Sequence, residues 1–112
     1  MADHFSAGIV HFNAKRFFEA HEKWEIIWLK SEGKEKIFLQ GLIQLTAAFH
    51  HFQSKNSKGA QSLLEKGEIK IKKLGESHRG LNLKALYVKI ATWKRFFQDT
   101  TQKENPPSFP HL

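Results

Sequence analysis

From Ile37 to Ser54 the chain runs eighteen residues without an Asp, Glu, Lys or Arg, although 26% of all its residues are charged. Within that run Phe38, Leu42, Leu45, Phe49 and Phe52 recur at alternating spacings of four and three. That is the period of an α-helix, and the run is too long for a strand. A helix without charge on any side is buried around most of its circumference. A chain of 112 residues supports one core, so the rest of the sequence is expected to wrap this helix.

The remaining segments agree. Asn13, Ser31-Glu32-Gly33, the stretches 54–59 and 75–80, and the proline-containing end punctuate the sequence. Between them lie a short helix over about 3–12 and a second over 14–30, with Asn13 expected to cap it. The central helix covers 34–53, a fourth 57–75, and a fifth runs from Asn82, a second expected cap, to about Asp99. No alternating strand pattern with a hairpin turn is visible, nor any internal repeat. The expected architecture is an all-α compact bundle of four main helices plus a short N-terminal one. Residues 1–101 form a single helical domain and 102–112 an irregular, Pro-containing tail.

Composition excludes several classes. There is no Cys, so no disulfide framework and no thiolate chemistry. Ten Phe and three Trp supply enough bulk for a core. No run of apolar residues is long enough for a membrane span, and no leader pattern is visible, so a cytoplasmic protein is expected.

Polar residues in apolar surroundings mark the candidate site. On a helical wheel Phe17, Phe18, Trp24, Trp28 and Leu29 share one side of the second helix, with His21 and Glu25 in their midst and Glu22 at the edge. A buried carboxylate is costly unless paired or protonated. The central helix carries Gln40, Gln44 and His51 in one row beside Ala47 and Ala48, whose small size would let a neighbour approach. The economical arrangement sets this row against His21 and Glu25, with Trp24 and Trp28 as walls. His21-Glu22-x-x-Glu25 is an HExxE motif. In a metal reading His21, Glu25 and His51 ligate a divalent ion such as zinc, and Glu22 is a catalytic base. In a metal-free reading the carboxylates and histidines do acid–base work. In a structural reading they only hydrogen-bond one another. No reaction class is singled out.

The net charge of +7 falls entirely in residues 51–112. Lys66, Lys70, Lys72, Lys73, Arg79, Lys84, Lys89, Lys94 and Arg95 would contact phosphates if the partner were a polyanion. Interspersed Glu65, Glu68 and Glu76, and the lack of a nucleic-acid motif, favour a solvated face instead. His50 is read as a boundary residue; His4, His11, His78 and His111 have no spaced partner. Phe5 and Phe96-Phe97 are candidates for an apolar patch in a homodimer.

Phe12-Asn13, Phe17-Phe18-Glu19-Ala20-His21-Glu22-x-Trp24-Glu25 and Trp28 form one distinctive block. Phe38-Leu39-Gln40-Gly41-Leu42-Ile43-Gln44-Leu45 leading to Ala47, Ala48 and His51 forms another, and Asn56 with Gly59-Ala60-x-x-Leu63-Leu64 a third. Together they resemble the bacterial family named domain of unknown function 309, over roughly residues 5 to 86. Thr46, where an alanine is common, and Lys23, where an apolar residue is common, depart from its pattern. The resemblance implies a small all-helical protein of unestablished role. Its signature falls on His21, Glu22, Glu25, Trp28, Gln44, His51 and Asn56. The leading expectation is a small-ligand or metal-binding site at this cluster. The alternative is a non-catalytic helical interaction module, and the third option is polyanion binding by the basic half.

Overall fold

The computed structural model describes residues 3–99 and 105–112. Five helices follow in order: α1 (His4–Asn13), α2 (Phe17–Trp28), α3 (Gly33–Gln53), α4 (Ser57–Lys72) and α5 (Leu83–Gln98). The molecule is all-α apart from a two-stranded hairpin, β1 (Ser77–His78) and β2 (Leu81–Asn82), paired antiparallel. No strand was legible there because two residues per strand are too few to show an alternating pattern.

α3 lies at the centre, with Phe38, Leu39, Leu42, Leu45 and Phe49 fully buried. Its most extensive contact is with α4, while α1 packs on α2, α2 on α3, and α5 on α4. The closeness of α3 and α4 comes from two glycines. A Cβ on Gly67 would stand 2.9 Å from the Gly41 carbonyl oxygen, and one on Gly41 would stand 2.6 Å from Ile71 Cγ1. At Gly41 and Gly67 the backbones of α3 and α4 therefore meet directly.

The turns joining α1 to α2 and α3 to α4 share one structure. In the first, the Lys15 N–H donates to Phe12 O at 2.9 Å and the Arg16 N–H to His11 O at 2.8 Å. Forty residues on, the Lys55 N–H donates to Phe52 O at 2.9 Å and the Asn56 N–H to His51 O at 2.8 Å. Lys15 and Lys55 take left-handed φ of 64° and 65°. The sequence around both reads His-Phe-x-x-Lys, followed by a buried Ala20 or Ala60. α1–α2 and α3–α4 are thus two helical hairpins closed by the same kind of turn. The likeness escapes a sequence scan because a backbone turn, carried by few side chains, is what recurs.

The caps differ between the two hairpins. Asn56 Oδ1 accepts from the Gly59 N–H at 3.0 Å and starts α4. Asn13 does not cap α2: it closes α1, and its Oδ1 accepts from the Leu112 N–H at 2.7 Å. Arg16 occupies the cap position of α2 with no side-chain bond. Asp3 caps α1, and the Ser6 N–H bonded to it lowers its carboxyl below the usual value. Asn82 caps α5 through the Ala85 N–H, as expected.

Residues 105–112 have no regular secondary structure yet are packed against the helices. Phe109 stacks on Trp93 with ring centroids 5.2 Å apart and meets Phe17 and Phe49 edge-on. The Trp93 Nε1–H donates to Ser108 O at 3.0 Å. The tail is therefore a strap closing the aromatic end of the core. Phe96 and Phe97 lie in the same cluster around Phe52 and Trp93, and Phe5 is buried against Trp24. Phe5 is thus a core residue, and Phe96 and Phe97 are partly buried against the core.

The basic half is partly engaged in internal pairs. Glu68, almost fully buried, bonds Lys94 at 2.9 Å and Lys72 at 3.3 Å. The hydrogen bond to Glu68, and then its charge, raise the Lys94 pKa above the ordinary lysine value. His78, expected to stand alone, bonds Glu35 at 2.7 Å and lies against Phe38 at 4.4 Å. Arg79 covers the Phe5 ring at 4.1 Å and approaches Glu35 at 3.6 Å. No helix among the described residues is long and apolar enough to cross a membrane.

Candidate ligand cleft between the two hairpins

α2 turns a narrower face to the core than its aromatic residues suggest. Phe17, Ala20 and Trp24 are buried, and the Trp24 Nε1–H donates to Phe5 O at 3.1 Å. Phe18 is 53% exposed and Leu29 66%. The core face is therefore centred between Phe17 and Ala20. That places Glu25 roughly 80° round the helix from Phe17, on the shoulder. The expectation of His21 and Glu25 in the middle of a buried aromatic arc is corrected accordingly. The Glu25 side chain is 52% exposed and that of His21 34%, and they pair through His21 Nε2 and Glu25 Oε2 at 2.9 Å.

On this shoulder α2 and α3 part to leave a cleft of about 270 Å³, lined by Glu25, Trp28, Gln40, Ile43 and Gln44. A second depression of about 280 Å³, lined by Glu22, Glu25, Ile26 and Leu29, shares Glu25 as its border. Four residues of the expected cluster (Glu25, Trp28, Gln40 and Gln44) thus meet across the junction between the two hairpins. Ile43 completes the cleft and was missed, because an isoleucine on an apolar helix carries no distinguishing signal. Glu22 lies in the neighbouring depression, and His21 adjoins the cleft only through its bond to Glu25.

Two polar atoms of the lining stand out. Trp28 Nε1 and Gln44 Oε1 are both shut off from solvent, and neither has a hydrogen-bond partner among the described residues. Leaving a buried donor or acceptor unpaired costs about 1–3 kcal/mol. The Lys36 ammonium stands 4.7 Å from the Trp28 ring, a cation–π contact that leaves the indole N–H unpaired.

His51 belongs to another construction. Its Nδ1 accepts from Asn56 Nδ2 at 3.2 Å, while Asn56 caps α4. The signature residues His51 and Asn56, with the Gly59 N–H, therefore build the α3–α4 turn. Among the described residues no group of three or more His, Asp or Glu is arranged to hold a metal ion. His21, Glu25 and His51 are not gathered as a ligand set.

Fold and cleft together define a small all-α protein made of two helical hairpins, with a side-chain-lined cleft where the hairpins meet. Comparison with known families is consistent with this and more specific. The family described as Domain of unknown function (DUF309) matches residues 5–63, and the chain belongs to that family. The match ends within α4, short of the expected limit near residue 86. It therefore covers both hairpin turns and the cleft, but neither α5 nor the strap. No curated protein and no solved structure matches the chain.

Proposed function

We propose that the cleft between α2 and α3 is a small-molecule binding site and that this protein acts by binding a ligand there. One observation carries the reading: a buried donor, Trp28 Nε1, and a buried acceptor, Gln44 Oε1, are both unpaired and belong to residues lining the same cleft. Buried polar groups are paired in the great majority of cases, so two unpaired ones on residues of a single cleft call for a bonding partner there. The cleft, at about 270 Å³, falls just below the roughly 300–1,000 Å³ of typical small-molecule sites, so the ligand is small. Its walls combine apolar surface from Ile43 and Trp28 with a few polar groups, the usual make-up of such sites.

Stability of the ligand-free protein separates this reading from a purely structural polar network. Replacing an unpaired buried acceptor by an apolar group of similar shape is neutral or stabilising. Gln44→Met should therefore leave urea stability unchanged or raise it by about 1 kcal/mol. A loss of about 1–3 kcal/mol would mean that Gln44 holds the helices together, and the helical interaction module would become the better reading. In parallel, a mixture of neutral fragments titrated into ¹⁵N-labelled protein should shift the Trp28 indole and the backbone amides of residues 25, 28, 40, 43 and 44. Shifts absent from this set would overturn the assignment of the site.

A further inference from the structure

The three tryptophans differ in what their indole N–H groups do. Trp24 donates to Phe5 O at 3.1 Å and Trp93 to Ser108 O at 3.0 Å. Among the described residues the Trp28 indole N–H finds no acceptor, and Gln44 Oε1 finds no donor. Both residues line one cleft, together with Ile43, Gln40 and Glu25. A ligand that satisfies both must bring an acceptor and a donor. The smallest uncharged planar group carrying both is a carboxamide. A carboxylate brings acceptors only, and its charge would sit beside Glu25, with Glu22 in the adjoining depression. An amidinium brings donors only and would leave the Trp28 N–H unpaired.

We propose that the cleft takes a neutral carboxamide-bearing small molecule, its carbonyl oxygen accepting from Trp28 Nε1 and its amide N–H donating to Gln44 Oε1. This rests on the cleft being a ligand site, as argued above. Both atoms are shut off from bulk water, so the side chains over them must part for the ligand to enter. What favours entry is the pairing of two groups that otherwise stay unpaired.

Three probes of nearly the same shape test the pairing: benzamide, benzoate and benzamidinium. Each is titrated into ¹⁵N-labelled full-length protein, and the three indole cross-peaks are followed. Trp28→Phe removes one peak and assigns it, and persistence of the other two shows that the variant is folded. Benzamide should move the Trp28 indole proton downfield in a saturable way, leaving the Trp24 and Trp93 peaks in place. Benzoate and benzamidinium should bind at least tenfold more weakly. Gln44→Met should weaken benzamide about tenfold, the equivalent of one hydrogen bond. If benzoate or benzamidinium shifts the Trp28 peak at concentrations as low as benzamide does, the carboxamide pairing is overturned while the cleft stands as a ligand site. A Trp28 peak unmoved by benzamide overturns the carboxamide class. Should it also stay unmoved by the fragment mixture, the ligand site falls with it.

Discussion

Thr46 is fully buried in α3, and its hydroxyl has no hydrogen-bond partner. It does not line the α2–α3 cleft, so its unpaired hydroxyl is a plain stability cost. Thr46→Val keeps the branched shape and should stabilise the protein by about 1 kcal/mol, measured as a shift in urea midpoint at unchanged slope. Other residues show why a sequence position alone misleads. His51 sits in the same helical row as Gln40 and Gln44, yet its ring reaches the next turn and bonds Asn56. A wheel gives the direction of a Cβ, whereas the partner depends on where the chain goes after the helix ends. Likewise His78 has no spaced partner in sequence, because Glu35 lies forty-three residues away.

Among the elements, the two hairpin turns make a direct comparison. Arg16 and Asn56 hold equivalent positions with nearly equal backbone angles, φ −95° and ψ 71° against φ −106° and ψ 75°. Only Asn56 caps its helix. Arg16→Ser would supply the missing acceptor and pair it with Glu19 in a Ser-x-x-Glu capping box. It should stabilise the protein by about 0.5–1 kcal/mol in denaturant titrations. The α3–α4 crossing tests the opposite sign. An exposed helical Gly→Ala change is normally favourable, but on Gly67 the new methyl would press on the Gly41 carbonyl at 2.9 Å. Gly67→Ala should cost about 1–3 kcal/mol, and a gain in thermal midpoint would show that the two helices part more easily than their packing implies. The positions of all five helices were legible from apolar spacing and from turn residues. The core face of α2 was not, because bulky Phe18 and Leu29 outweighed small Ala20 on the wheel.

Across the whole molecule, the strap and the long-range pairs tie ends together that sequence leaves far apart. Phe109 fills a site among Phe17, Phe49 and Trp93, so Phe109→Ala should destabilise the fold by about 2–4 kcal/mol in urea. An unchanged midpoint would mean that the strap adds nothing to the core. Alkaline stability has a defined sign. Lys94 is raised from 10.5 by Glu68, and Tyr87 is raised from 10.0 by burial. Tyr87 donates to the Ile71 and Gly75 carbonyls, a role it loses on ionisation. Both groups hold their protons more tightly when folded. Their stabilising contribution is complete below the unfolded values of 10.0 and 10.5, and is lost as pH rises through the higher folded ones. Unfolding midpoints should fall steeply above about pH 10, and Glu68→Gln should flatten the part of that fall due to Lys94.

By itself the sequence determined that this chain is predominantly helical, that the uncharged segment from Ile37 to Ser54 is its centre, and that polar residues gather near one helix junction. Those properties follow from local periodicity and from the cost of burying charge, both of which can be read along a single segment. Tertiary structure decided the rest. It set which cluster residues face one another, gave His51 to a turn and Glu25 to a cleft rim, and docked the proline-containing tail. The cleft depends on how α2 crosses α3, and the α3–α4 contact on the closeness permitted by Gly41 and Gly67. Such crossings arise from packing between distant segments, which no periodicity within one segment encodes.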